Sequence, residues 1–438
     1  MAIYLKNIND FPQNFDVISE NKTQYGEVRT DFKLINDMFK LIPSVFFSIP
    51  KLKWLDPCCG NGYFMIALYF KLFNSLKNII DDDKTRHNHI VNNMLYMIEI
   101  NIEHISTLQH IFGHNANIFH DNFLNFNKIK PDFIIGNPPY NINGSIKCPT
   151  SNNNKLNDGY TIWTDFVKHS IHLLKDNGHL LMITPSIWMK HDYSLYYFIT
   201  QFKLIIHTLN ASQTNSIFHN KAQLPTCYFH LTKYPTNNNV IIFDDILKKY
   251  IAYPIDDNNS IPLNNISILK KLLPYVKTFG SLKVHKTNIP PGFRRKNNKN
   301  IIADNYSTLT PHLNIKSCIF KNGQPQIIHN YSSEKCPYAD IPKIVLAHKM
   351  HGYPFYDQNG CFGISNRDIY VITNKTKFDF HKIKLFLNTD TIINLFNSTR
   401  YRMRFLEKYI FNMLPDITNI PDFPVIINDT TIKSFFNL

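Results

Sequence analysis

The chain has 438 residues, 44% of them hydrophobic, which suits two or three domains with sizeable cores. No apolar run approaches the length of a membrane span, and the opening Met1-Ala2-Ile3-Tyr4-Leu5-Lys6-Asn7 lacks the basic-then-apolar layout of a signal peptide, so a soluble, intracellular protein with no membrane partner is expected. Seven scattered cysteines, two of them adjacent at Cys58 and Cys59, indicate neither a disulfide framework nor a paired-cysteine metal site. The net charge of +14 is uneven: residues 1–240 carry 21 Lys+Arg against 18 Asp+Glu, and the remainder carries 26 against 15. A basic second half beside a near-neutral first half suggests a polyanion held by one and worked on by the other, although a solvated basic surface explains the charge equally well.

In chain order, residues 1–21 are polar. Gln24-Tyr25-Gly26-Glu27-Val28-Arg29-Thr30-Asp31 then leads into Phe32, Leu34, Ile35, Met38, Phe39 and Leu41 at helical spacing, with Thr30 or Asp31 as the N-cap. Next, Leu52 to Phe64 reads as strand, glycine-bearing turn and helix start: Asp56 closes the strand, Pro57-Cys58-Cys59-Gly60-Asn61-Gly62 forms the turn, and Met65, Ile66, Leu68, Tyr69 and Leu72 continue the helix. A lone Gly-x-Gly is a weak signal, and an ordinary tight turn explains it. Residues 78–92, with Asp81-Asp82-Asp83, look like an exposed connection. Met94 to Asn101 is a buried-strand pattern carrying Glu99 at its end, and Ala116 to Phe119 is a third strand leading to Asp121. A fourth apolar run, Asp132 to Gly136, stops on Asn137-Pro138-Pro139-Tyr140.

Taken alone, that last motif is a strand-ending turn. Its neighbours change its meaning. Three successive strands end in Asp56, Glu99 and Asp121 and the fourth in Asn137, and ligands in open parallel sheets bind at strand carboxyl ends, so these residues should line one crevice. Asn-Pro-Pro offers a fixed amide and fixed carbonyls, and Tyr140 a ring, to a flat polar ligand. Residues 141–160 should order only around a substrate. A helix follows from Tyr160 through Leu174, then a strand at His179 to Pro185, a helix at about Ser186 to Thr200, and strand-like segments at Leu204 to Leu209 and Thr226 to Leu231. Phe218 lies between the last two and is a candidate exposed ring, though a core-facing Phe is the commoner fate.

Beyond residue 245 the texture changes. A linker helix at Ile266 to Leu273 precedes the basic turn Pro290-Pro291-Gly292-Phe293-Arg294-Arg295-Lys296. Strands at Lys343 to Ala347 and Asp368 to Ile372 flank an aromatic, Gly-rich loop carrying Lys349 and Arg367. The five basic residues Arg294, Arg295, Lys296, Lys349 and Arg367 are candidate nucleic-acid contacts. There is no internal repeat, helix-turn-helix signature or zinc finger.

The order of motifs over roughly the first 240 residues resembles the amino-methyltransferases that use S-adenosylmethionine, and most closely the gamma-class adenine DNA methyltransferases of restriction-modification systems. The resemblance implies an α/β fold, a Rossmann-like class I methyltransferase domain with a mostly parallel seven-stranded sheet over residues 1–245, followed by a mixed α+β target-recognition domain over residues 246–438. It implies S-adenosylmethionine held by Gly26, Thr30, Asp56, Pro57, Cys58, Gly60, Gly62, Phe64, Glu99, Ile100, Asp121, Asn122, Phe123 and Asn137. Asn137, Pro138, Pro139 and Tyr140 would be catalytic, with Tyr140 and Phe218 stacking on a flipped adenine, and no metal. Two departures stand out: Asp31 replaces the proline that usually follows Thr30, and Asn122 separates Asp121 from Phe123. Double-stranded DNA is the implied partner and a monomer is expected. About 20 residues precede the first motif, so any restriction activity is expected from a separately encoded endonuclease. The same four-residue motif can grip any planar amine or amide, so an RNA or protein-glutamine methyltransferase remains an alternative, as does a nucleic-acid-binding module on an inactive fold.

Overall fold

The computed structural model describes residues 3, 7–11, 28–142, 160–218, 224–236, 238–255, 259–287, 300–321, 324–347, 353–367, 369–402 and 406–438. The chain forms two compact units, one of Met1–Trp188 with Tyr193–Ile242 and one of Met189–Asp192 with Phe243–Leu438. Among the described residues no helix is long and apolar enough to cross a membrane.

The first unit is organised by strands β1 (Trp54–Asp56), β2 (Leu95–Glu99), β3 (Asn117–His120), β4 (Phe133–Gly136), β7 (His179–Pro185), β8 (Phe202–Leu209), β9 (Thr226–Pro235) and β10 (Asn239–Asp244), with β5 (Asn141–Ile142) and β6 (Tyr160–Thr161) forming a separate small pairing. Within this unit the strand order is β10-β8-β9-β7-β4-β1-β2-β3, eight strands where seven were expected. β9 alone runs antiparallel to its neighbours β7 and β8, whereas β3, β2, β1, β4 and β7 are mutually parallel. Every residue of β1, β2, β4 and β7 is buried. That requires cover on both faces, which is why these strands read as continuous apolar runs rather than alternating ones. This is a Rossmann-like α/β arrangement, and the chain's return from β3 to β4, beside β1, makes the switch point where such sheets bind ligands.

A stack of rings crosses the sheet centre. Trp54 lies 3.9 Å from Phe133, Phe133 lies 4.4 Å from His179, and His179 Nδ1 is 3.0 Å from His230 Nε2. These side chains come from β1, β4, β7 and β9 in turn, so they tie four adjacent strands in register. Burial holds both imidazoles below their ordinary range, His179 at about 4 and His230 at about 3; His207, stacked 4.7 Å from Tyr228, is held at about 4.

Two expected elements differ. Residues 78–92 are not an open connection: Asp82 caps a helix over Asp83–His89 through the Thr85 N–H, and a π-turn follows over Ile90–Met94. Arg86 organises it from a buried position, donating to the carbonyls of Ile80 and Asp81 and lying over the Phe73 ring at 4.0 Å. A polar sequence hid a buried cation. The helix expected over Ser186 to Thr200 is instead one turn at Ser186–Met189 and a short helix at Tyr196–Thr200. The intervening Met189–Asp192 belongs to the second unit, where Tyr409 Oη donates to Asp192 at 2.7 Å and His191 Nδ1 meets Ser260 Oγ at 3.1 Å.

The second unit contains β11 (Lys249–Pro254), β12 (His285–Lys286), β13 (Ile302–Ala303), β14 (His312–Lys321), β15 (Gln324–Ser332), β16 (Lys343–Ala347), β17 (Phe355–Asp357), β18 (Gly363–Ile364) and β19 (Ile369–Ile372). Two four-stranded sheets, β12-β19-β16-β17 and β13-β15-β14-β18, combine with helices Ile266–Phe279, Lys377–Leu387 and Asp429–Phe436 in a mixed α+β arrangement. The helix expected to stop at Leu273 continues through Pro274 to Phe279. The aromatic loop before Arg367 contains β17 and β18. Its turn is held by a fully buried ion pair: Lys343 Nζ lies 2.5 Å from Asp357 Oδ2, and Asp357 also accepts from the N–H groups of Cys361 and Phe362 at 2.9 and 3.0 Å.

Two outcomes follow. Unfolding exposes the three histidines, which then titrate near 6.5 while their folded values lie near 3 to 4, so the unfolded chain binds the extra protons. The histidines' share of the stability should therefore be full above about pH 6.5 and fall progressively toward pH 4, read as the urea midpoint; His207→Phe, which keeps a ring against Tyr228, should reduce that slope. Separately, Lys343→Met strands the buried Asp357 carboxylate and should cost about 3–5 kcal/mol in denaturant unfolding, with Lys343→Met/Asp357→Leu recovering much of it.

Candidate active site

The site begins where β1 and β4 end side by side. Asp56, the last residue of β1, is 1% exposed, and its Oδ1 accepts the Cys58 N–H at 3.1 Å. Gly136, the last residue of β4, lies directly against it: a Cβ there would stand 2.9 Å from Asp56 Oδ1 and 3.3 Å from Pro57 Cδ. Only a residue without a side chain lets the two strand ends close. The turn after β1 then needs a left-handed backbone at Gly60 (φ 50°) and Gly62 (φ 85°), and a Cβ on Gly62 would meet Leu108 at 2.8 Å. Helix Tyr63–Ser75 starts at that glycine.

Glu99 ends β2 as a buried, oriented carboxylate. Its Oε2 accepts the Gly60 N–H at 2.7 Å, its Oε1 accepts the Asn101 N–H at 2.8 Å, and His104 Nδ1 lies 3.7 Å away. It thereby ties the glycine turn to the second strand end. Burial, with the Glu99 charge adding to it and the Cys58 N–H opposing it, pushes the Asp56 carboxyl up to about 8. Asp56 thus holds its proton at neutral pH. The Cys58 and Cys59 thiols are likewise pushed up by burial and by both carboxylates, and Cys58 Sγ lies 3.4 Å from the Asn137 carbonyl oxygen.

Asn137 is fixed by the segment before the first helix. Its Nδ2 donates to Thr30 Oγ1 at 3.0 Å and to the Val28 carbonyl at 3.4 Å. A carbonyl only accepts, so the amide nitrogen must face Val28, which turns Oδ1 the other way. Among the described residues that buried oxygen has no hydrogen-bond partner. Asp31, standing where the resemblance has proline, caps helix Phe32–Phe39 by accepting the Leu34 N–H at 2.7 Å, and thereby holds the adjacent Thr30. Pro138 is buried. The Tyr140 hydroxyl is also buried without a partner among the described residues, and desolvation raises it above the ordinary phenol range.

The remaining expected residues divide. Ile100 stands 49% exposed beside Glu99, as a ligand platform would. Asp121 is held below the ordinary carboxylate range first by Lys128, whose Nζ lies 2.8 Å away, and it accepts the Asn122 N–H at 2.8 Å. Asn122 is exposed and caps the following turn through the Leu124 N–H. Phe123 is 2% exposed, against Phe166 and His169, and Phe64 is 5% exposed in the core. Phe218, expected as an exposed ring, is 2% exposed and belongs to the core cluster with Leu209 and Tyr228, so it presents no free face as folded. Arg367 is exposed at the end of its loop. Gly26, Arg294, Arg295, Lys296, Lys349 and the expected substrate-ordered segment 143–159 lie outside the described residues. The sequence reading missed the Val28 carbonyl, Asn101, His104, Lys128 and Gly136. Of these, only Gly136 carried a visible signal, as a glycine closing an apolar strand one residue before the motif.

Gly136→Ala should push β4 off Asp56 at a cost of about 1–3 kcal/mol, measured by denaturant unfolding. A change below a few tenths of a kcal/mol would show that the strand ends tolerate separation.

Residues 52–218 match the Eco57I restriction-modification methylase family. No curated protein sequence matches the chain. Among solved structures the chain is similar to the Type I restriction enzyme EcoKI M protein (20% identity, 50% of this chain and 48% of that one, TM-score 0.38). It is similar also to the type I restriction-modification methyltransferase subunit from Streptococcus thermophilus (18%, 50% and 47%, TM-score 0.34) and to the Type IIL restriction-modification enzyme MmeI in complex with DNA (10%, 89% and 68%, TM-score 0.43). The chain spans about half the length of the first two. The family match spans the strand ends that carry Asp56, Glu99, Asp121 and Asn137 and closes at Phe218, so what this stretch resembles is a methylase of the restriction-modification type.

Proposed function

We propose that this chain transfers a methyl group from S-adenosylmethionine to the exocyclic N6 amino group of an adenine flipped out of duplex DNA. The observation that carries the reading is the buried, partnerless Asn137 Oδ1, whose amide is tied back by Thr30 and Val28. An unsatisfied buried acceptor costs about 1–3 kcal/mol, and an amino group of the substrate recovers it.

The residues fit the cofactor. Asp56, once ionised, suits an ammonium group; Glu99 suits a pair of ribose hydroxyls; exposed Ile100 and Asn122 and half-buried Asp121 suit an adenine face and its edge; the Gly60–Gly62 turn lets backbone approach closely. When bound, S-adenosylmethionine supplies a sulfonium methyl.

The exocyclic amine of adenine is a poor nucleophile because its lone pair is delocalised into the ring. Asn137 Oδ1 and the Pro138 carbonyl accept its two hydrogens and draw the nitrogen toward a pyramidal shape, which frees the lone pair. The new N–C bond forms as the S–C bond breaks, the electron pair leaves with sulfur, and one amine proton departs to solvent. Fixed dipoles and positioning supply the rate enhancement. Tyr140 offers the base a ring to stack on, offsetting the lost stacking in the duplex, while the basic second half holds phosphates. Phe218 and Phe123 join it only where substrate or cofactor displaces their present packing.

Asn137→Ala should lower transfer of labelled methyl to mixed-sequence DNA by at least about 100-fold, the size of effect that loss of one preorganised hydrogen-bond donor has at oxyanion sites, while calorimetric cofactor affinity stays within about tenfold. Absence of label on adenine with the native chain, or preferential transfer to RNA or to a glutamine amide, would displace this reading. Cofactor affinity should also rise between pH 6 and 7.5 as Asp56 ionises, and Asp56→Asn should bind weakly with no such rise.

A further inference from the structure

We propose that the distal half of the β14–β15 ribbon is the element that reads base edges, entering the major groove of duplex DNA with Gln326, Ser317, Ile319 and Ile328 on its reading face. This rests on the DNA methyltransferase reading above. The flanking strands stop short of this part of the ribbon: β13 pairs only with Tyr331 and Ser332, and β18 only with Asn314 and Ile315. Beyond the bulge at Lys316, the five pairs from Ser317–Ile328 to Lys321–Gln324 bond only to each other among the described strands. They make a free two-stranded ribbon about 15 Å long at ~3.3 Å per residue.

The two faces differ. Cys318, 3% exposed, and its partner Ile327 pack into the cluster with Ile315, Val345 and Ile364. The opposite face carries Ser317 opposite Ile328 and Ile319 opposite Gln326. Ile319 and Ile328 are 40% and 38% exposed, and Gln326 is exposed as well. Two solvent-facing isoleucines alternating with an amide and a hydroxyl forgo part of the gain of burial, which a partner covering them would recover. A two-stranded ribbon fits the major groove, where an amide can meet adenine by two hydrogen bonds, a hydroxyl can donate or accept, and aliphatic groups pack on thymine methyls. Charge favours the same occupant, because residues 241–438 carry 26 Lys+Arg against 15 Asp+Glu. At the bulge itself, Lys316 makes an exposed ion pair with Asp304, weak enough to exchange for a phosphate.

The test selects the full-length chain against a randomised duplex DNA pool, alongside Gln326→Ala and Ile328→Ser, with thermal melting and cofactor calorimetry as fold controls. The native chain should enrich a motif, and each variant should lose about 5- to 150-fold preference at one or two positions while melting and cofactor affinity stay unchanged. An unchanged motif in both variants overturns the proposal, and so does no enrichment by the native chain. A native dimer in gel filtration that Ile328→Ser dissociates without altering the motif assigns the face to a second copy of the chain instead. Labelled methyl transfer is scored separately, so a chain that enriches a ribbon-dependent motif without methylating it loses the activity and keeps the ribbon's role.

Discussion

The site depends on how closely the end of β4 approaches the end of β1. Gly136 permits it, since any side chain would meet the Asp56 carboxyl. From that contact follow the position of Asn137 one residue later, the thiol of Cys58 beside the Asn137 carbonyl, and the burial that shifts Asp56. A switch point in a parallel sheet is a topological fact, but its chemistry requires two strand ends nearer than ordinary side chains allow.

Around that contact, three carboxylates of similar sequence context have been given different environments. Asp56 is desolvated and proton-holding. Glu99 is oriented by two backbone N–H groups. Asp121, near the surface, is charged and tied to Lys128. Three acids at strand ends are therefore not three equivalent groups, and each presents different chemistry at its strand end. Asn137 adds the complementary feature: a dipole held by its nitrogen, with its oxygen left over.

The second unit handles buried charge differently. Lys343 and Asp357 pair out of water to brace one turn, a device that stabilises little by itself but fails badly when halved. The neighbouring sheet sends a ribbon beyond its last flanking strand with apolar and polar groups alternating on its open face. Rigid support under one face of an otherwise free ribbon is the arrangement a groove-reading element needs.

Much of this was legible in the chain alone. Continuous apolar runs ending in Asp56 and Glu99, with Asn137-Pro138-Pro139-Tyr140 after another, follow from strands covered on both faces, whereas the edge strand before Asp121 is only partly buried. Periodicity carries that information because burial and side-chain alternation are local. What it did not carry was every contact made at long range. Arg86 turned a polar stretch into a packed helix, and Met189–Asp192 left one unit for the other and broke a helix that local pattern favoured. Phe218 went into the core, since a ring's free energy depends on what space is left for it. The residue types at the strand ends and their order were determined by the sequence. The proton on Asp56, the direction of the Asn137 amide and the open face of the ribbon were decided only by tertiary structure, because desolvation, hydrogen-bond partners and exposure exist only once distant segments meet.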